Sequence, residues 1–203
     1  MDSNAIRMKF GDDYLATEHT YVLGIDIRLA TRIAGRFRGR SVLETCTGAG
    51  FTTMALAGVS RHVTTVEIEP EHLSQARANV TRAGLQDRVT FILGDVLDDS
   101  VLNGTGPFNA AFLDPDWAIT GPDHIYRFRP SNMRPPADVL LGKVIGKTRN
   151  IALILPPSLD LQETKDLPPH ECQRLFLGGR HELYCLYFGD LATVHGQTEL
   201  HGE

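Results

Sequence analysis

Three stretches of the chain carry residues whose types and spacing could do chemistry. In residues 41–67 an apolar start (Val42, Leu43) leads to an acid, Glu44, then to a loop holding Gly48 and Gly50, an apolar run from Met54 to Ala57, and a second apolar stretch ending in Glu67. Glycines at 48 and 50 allow positive φ and close approach of backbone to a ligand. Glu67, about 17 residues after Gly50, falls where a carboxylate can grip both hydroxyls of a ribose. The pattern is that of one βαβ unit built to hold a nucleoside. The second stretch is Gly94-Asp95-Val96, directly after the apolar Val89–Leu93, where Asp95 can accept from an adenine amine and Val96 can offer a backbone or apolar contact to the ring.

The third is Asp114-Pro115-Asp116-Trp117, which follows the apolar residues 108–113 without a break. An amine on a heteroaromatic ring has its lone pair drawn into the ring, so a site acting on it must hold it edge-on and accept its hydrogens. The Asp114 carboxylate and the Pro115 carbonyl are the candidate acceptors, and Trp117 is a flat face for a base, a contact worth roughly 1–3 kcal/mol. No strong base is needed, because a nitrogen that has gained a carbon substituent becomes acidic; Asp114 serves orientation and electrostatics.

The loop narrows the nucleoside. A dinucleotide site uses three glycines and a helix N-terminus facing a pyrophosphate, whereas here Cys46 stands at the first glycine and Phe51 follows the last. Glu44 would repel a pyrophosphate but can accept hydrogen bonds from the ammonium group of S-adenosylmethionine. A methyl donor is the reading the loop favours, ahead of a dinucleotide and of a purely structural strand-turn-helix.

The elements that would position these residues can be read in order. Residues 1–25 form an N-terminal segment, a candidate lid, with Phe10, Tyr14 and Leu15 as possible contacts. Ile27, Ala30, Ile33, Ala34 and Phe37 recur at helical spacing and Gly39 ends that helix. Pro70 opens a helix with the stripe Leu73, Ala76, Val80 and Ala83, closed by Gly84. Val89–Leu93 reads as a buried strand, Val139, Leu140, Val144 and Ile145 as a helix, and Ile151–Leu155 as a buried strand stopped by Pro156-Pro157. Gly178-Gly179 between two β-rich runs predicts a hairpin. The expected fold is α/β, a doubly wound, mostly parallel seven-stranded sheet with an antiparallel C-terminal hairpin. Residues 26–192 make the domain and 193–203 a polar, frayed tail.

Composition sets outer bounds. A chain of 203 residues with net charge −5 suits one domain and argues against a surface that coats nucleic acid. RNA contact would have to be local, at Arg28, Arg32, Arg36, Arg38 and Arg40 or at Arg127, Arg129 and Arg134, both of which also read as plain solvated surface. Three separated cysteines and eight scattered histidines give neither a disulfide framework nor metal-ligand spacing. With no secretory pattern or membrane-length apolar run, the expectation is a cytoplasmic protein without metal or membrane partner.

The chain resembles the trimethylguanosine synthase family, the RNA cap guanine-N2 methyltransferases, over about residues 20–191. Leu29, Ala30, Ile33, Ala34 and Gly35 match that family's IA..IAG helix, Glu44 to Gly50 its glycine loop, and Thr64 to Pro70 its IAIDIDP. Asp114, Pro115 and Trp117 fall on SPPW, Ile154 to Pro156 on FLP, and Tyr187 to Leu191 reproduces YFGDL. Asp116 replaces the second proline, Ala118-Ile119 the glycines after the tryptophan, Leu23 and Ile25 the hydroxyls of an SVTP segment, and Pro157 an arginine. The resemblance implies the Rossmann-like fold of class I methyltransferases and N-methylation of a guanine-like base by S-adenosylmethionine, not specifically a cap. Its site would use Glu44, Thr47, Gly48, Gly50, Glu67, Asp95 and Val96 for the cofactor and Asp114, Pro115 and Trp117 for the acceptor. Methylation of a small molecule, and a binding module without activity, stay open beside it.

Overall fold

A computed structural model describes residues 2–117 and 125–203, and within it residues 41–67 fold as the expected βαβ unit. The chain divides into two compact units, residues 1–109 and 110–203.

The first unit holds three parallel strands, β1 (Ser41–Thr45), β2 (His62–Glu67) and β3 (Val89–Leu93), in the order β3-β2-β1. Register sets Thr45 beside Val66 and Glu67 beside Leu93, so the carboxyl ends of β2 and β3 finish level. Six helices accompany them: α1 (Ser3–Phe10), α2 (Glu18–Leu23), α3 (Ile27–Ala34), α4 (Phe51–Val59), α5 (Pro70–Arg82) and α6 (Asp99–Gly104). Helix α3 begins on an Asp26 cap and buries Leu29, Ala30, Ile33 and Ala34; a single 3-10 turn then delivers Phe37 to the core before Gly39 turns the chain at φ 70°. Helix α5 starts at Pro70 and buries the expected Leu73, Ala76 and Val80, and also Asn79.

The N-terminal segment is docked on this unit. The Phe10 ring stacks on Phe51 of α4 with centroids 3.4 Å apart, and the Thr20 hydroxyl donates to the Gln75 side chain at 3.0 Å. Buried Asn79 accepts from Leu15 N–H at 2.7 Å and donates to the carbonyls of Leu15 and Ala49, each at 2.9 Å. One amide thereby ties residue 15 to the glycine loop. Gly24 is required where it stands, since a Cβ would lie within 2.8 Å of the Phe51 and Phe10 rings.

The second unit has β4 (Ala110–Leu113), α7 (Ala137–Ile145), β5 (Ile151–Leu155), β6 (His170–Leu177), β7 (Arg180–Phe188) and β8 (Gly196–Gly202), with strand order β4-β5-β7-β6-β8. β4 and β5 are parallel, β7 runs antiparallel to both β5 and β6, and β8 lies parallel to β6. The hairpin turns at Gly178 and Gly179, both with positive φ (56° and 80°), as a tight two-residue turn requires.

The α/β class, the parallel strands and the antiparallel hairpin agree with the sequence reading. Two details are corrected. Eight strands are present among the described residues where seven were expected, because residues 196–202 of the supposed frayed tail pair with β6 along seven positions. β3 is not a buried strand: only Val89 is buried, and Leu93 is 53 % exposed, because β3 ends the strand order and lacks an outer neighbour.

Candidate active site

Glu67 ends β2 with its carboxylate held by three backbone amides. Gly48 N–H donates to Oε2 at 2.8 Å, and the N–H groups of Ile68 and Glu69 donate to Oε1, each at 3.0 Å. Three of the carboxylate's roughly four lone-pair sites are thus filled, both of those on Oε1 and one on Oε2, which leaves Oε2 able to accept one further donor. His72, on the first turn of α5, brings Nδ1 to 3.9 Å from Oε1, and His19 of α2 stacks on the His72 ring at 5.5 Å.

The glycine loop is shaped by three left-handed residues, Cys46 (φ 61°), Gly48 (φ 54°) and Gly50 (φ 82°). Cys46 is the one non-glycine residue with positive φ among those described, an unusual conformation for a side chain that costs about 1–2 kcal/mol. A Cβ on Gly48 would meet nothing within 4 Å, so that backbone faces open space; one on Gly50 would lie 3.0 Å from Ala76 Cα and Cβ. Gly50 thus serves the packing of the loop on α5, and Gly48 is the glycine left facing outward.

Glu44 and Thr47 are placed differently from the sequence expectation. Glu44 is 1 % exposed, accepts from the Thr53 hydroxyl of α4 at 2.6 Å and from Thr65, and is not presented at the surface. Burial pushes its carboxyl up to about 7, with the hydroxyls of Thr53 and Thr65 pulling the other way and the Glu67 charge adding to the rise. Thr47 is also buried, its hydroxyl 2.5 Å from that of Thr65. Together these hydroxyls and the carboxyl fix the loop from beneath.

Asp95 is exposed and closes a turn by accepting from Leu97 N–H at 2.8 Å, while the Val96 side chain is buried. Sequence reasoning passed over Ile68, 58 % exposed, whose aliphatic side chain directly follows Glu67. An apolar residue immediately after the strand-ending acid was the available signal, and it suits the face of a heteroaromatic ring.

In the second unit the candidate acceptor residues Asp114 to Trp117 directly follow β4. Pro115 is buried, and Asp114 and Trp117 are half-buried. Asp116, in place of a proline, exchanges backbone hydrogen bonds with Arg134 (N–H to O 2.7 Å and 2.9 Å) and receives the Arg134 guanidinium on Oδ2 at 3.0 Å. The departure from the family pattern thus supplies a fastening. Tyr126 donates its hydroxyl to the Trp117 carbonyl, and its ring meets the indole edge-on at 6.1 Å. Ala118-Ile119, the other departure, lie outside the described residues. Among the described residues no group of three or more His, Cys, Asp or Glu side chains could hold a metal ion, and no helix is long and apolar enough to cross a membrane.

Comparison with known proteins adds three findings. Residues 39–190 match a family described as RNA cap guanine-N2 methyltransferase. A catechol O-methyltransferase of Mycobacterium tuberculosis is 41 % identical over 87 residues, 41 % of this chain and 40 % of that one. Among solved structures, one from Porphyromonas gingivalis W83 superposes with TM-score 0.75 and 17 % identity over 92 % of this chain and 47 % of its own. An RNA methyltransferase from Salinibacter ruber in complex with S-adenosyl-L-homocysteine does so with TM-score 0.52 and 15 % identity over 80 % and 88 %. The chain therefore spans about two fifths of the matched curated relative and about half of the first of these structures.

Proposed function

The chain belongs to the RNA cap guanine-N2 methyltransferase family, and from that membership we propose that it transfers a methyl group from S-adenosylmethionine to the exocyclic amine of a guanine-like base in RNA. The fold is the Rossmann-like one of class I methyltransferases, and S-adenosylmethionine is the cofactor that goes with the family. The residues at the ends of β2 and β3 suit it: a preoriented carboxylate at Glu67, an exposed acceptor at Asp95, an apolar face at Ile68 and open backbone at Gly48. In this reading Glu67 accepts from a ribose hydroxyl on Oε2, Asp95 accepts from the adenine amine, and the Val96 backbone meets the ring edge. Glu44 and Thr47 hold the loop in shape from within rather than touching the ligand. When bound, the cofactor supplies an electrophilic methyl group on a sulfonium.

The acceptor base stacks on Trp117 and turns its amine toward the Asp114 carboxylate and the Pro115 carbonyl, which accept its two hydrogens. As the nitrogen takes the methyl carbon, the carbon–sulfur bond would break to leave neutral S-adenosylhomocysteine, and the nitrogen would shed a proton to Asp114 or to water. The observation that supports this most is the half-buried indole two residues after Pro115, held by Tyr126 with part of its surface still open.

The test is transfer of labelled methyl from S-adenosylmethionine to guanine-containing RNA. Trp117→Ala should lower turnover roughly five- to 150-fold, in line with a stacking contact of roughly 1–3 kcal/mol, with cofactor affinity changed less than twofold. Unchanged turnover removes the stacking role. A second reading, methylation of a small aromatic hydroxyl, draws on the name of the Mycobacterium tuberculosis relative; preferential transfer to catechol over RNA in the same assay would favour it.

A further inference from the structure

We infer that the loop of residues 125–136 is a phosphate clamp, which grips the backbone of a single-stranded RNA beside the base on Trp117 through Arg127 and Arg129; this rests on the RNA reading above. Three arginines lie within eight residues, at 127, 129 and 134, and all three are exposed. The loop that carries them is held firmly from inside. Phe128 is 0 % exposed and Met133 2 %, so these two side chains are buried while Arg127 and Arg129 on either side of Phe128, and Arg134 after Met133, are exposed.

Polar contacts complete the frame. Glu163 Oε2 accepts from Phe128 N–H at 2.5 Å and Arg129 N–H at 3.2 Å, Asn132 bridges Arg127 N–H and the Ile125 carbonyl, and Ser131 accepts from Met133 and Ala137 N–H. A surface loop with no binding task has little need of two buried anchors and six side-chain-to-backbone bonds. The frame also joins the loop to the Asp116-Trp117 backbone at two points, through Tyr126 on the Trp117 carbonyl and Arg134 opposite Asp116.

The charges sort into two roles. Arg134 is committed to Asp116 at 3.0 Å, and so acts as a fastener. Arg127 has a carboxylate only at 4.0 Å, from a Glu163 already occupied by two amides, and its side chain is 58 % exposed. Arg129 has no carboxylate partner among the described residues; its guanidinium lies 5.7 Å over the Phe128 ring. Two exposed forks of N–H donors beside an aromatic platform match a nucleotide chain, whose bases stack while its phosphates take bidentate hydrogen bonds. On a chain of net charge −5 such contacts have to be concentrated in one place.

The experiment measures binding of a short, guanine-containing single-stranded oligoribonucleotide by fluorescence anisotropy across a salt series. Each phosphate neutralised on a single strand contributes about −0.7 to the slope of log K against log salt. Arg127→Ala/Arg129→Ala should therefore flatten the slope by about 1.4 and weaken binding roughly tenfold at low salt. Arg127→Lys/Arg129→Lys should keep most of the slope, and turnover of the oligonucleotide should fall further than that of guanosine. The clamp is overturned if the double alanine variant, with an unchanged unfolding midpoint, keeps wild-type affinity and slope, or if guanosine and oligonucleotide turnover fall equally. A wild-type protein that binds RNA with the predicted slope yet transfers no methyl group would sink the proposed activity and leave the clamp standing.

Discussion

Glu44 is a carboxyl group held where water scarcely reaches it, and its titration follows from that. Its folded value of about 7 lies above the ordinary 4.5, so between these two pH values the folded chain holds a proton that the unfolded chain has released. The associated stability is fully present below about pH 4.5 and is lost as pH rises through about 7. The loss amounts to roughly 3 kcal/mol, less whatever the threonine hydroxyls recover by relaxing around the anion. Glu44→Gln keeps the hydrogen bonds and removes the titration, so its unfolding free energy, measured in denaturant from pH 4 to pH 8, should lack that descent. The sequence identified Glu44 as an acid of the loop but not which way it faced, because orientation depends on Thr53 of the next helix and Thr65 of the next strand. Glu67 was legible for the opposite reason. Its place at the strand end and the glycine 19 positions earlier settle its contacts locally.

Elements were legible where a local rule dictates them and illegible where pairing decides. Pro70 and Gly84 bracket α5, and Gly178-Gly179 announces the hairpin, whatever surrounds them. β8 carries no apolar alternation to mark it. Its residues are exposed or half-exposed, and it exists by backbone pairing with β6 together with the hold of buried Glu171, which accepts from Thr193 N–H at 2.8 Å and from the Thr198 hydroxyl at 2.7 Å. The YFGDL run shows a sequence match acquiring a physical cause. Gly189 has φ 60°, and a Cβ there would lie 2.6 Å from both the Arg149 carbonyl oxygen and Asn150 Oδ1, while the following Asp190 N–H donates to Asn150 Oδ1 at 2.8 Å. Gly189→Ala should therefore cost about 3 kcal/mol in equilibrium unfolding. A change below about 1 kcal/mol would mean the loop before β5 gives way easily.

At the scale of the molecule, a net charge of −5 would confine the proposed contact with a polyanion to the framed arginine loop. The family membership reaches across residues 39–190 and leaves the first 38 residues to be understood from their own contacts. One of those contacts reaches Asn79, whose amide group is shared between Leu15 and the carbonyl of Ala49 in the glycine loop. With the cofactor bound at that loop as proposed, a coupling carried by this amide would be thermodynamically reciprocal: what steadies the loop would steady the attachment of the chain's beginning. Trypsin cleavage after Arg7 and Lys9 should accordingly slow several-fold when S-adenosylhomocysteine is added, and Asn79→Ala should abolish that protection even at saturating ligand. The opening helices would then report, from a distance, whether the protein is loaded.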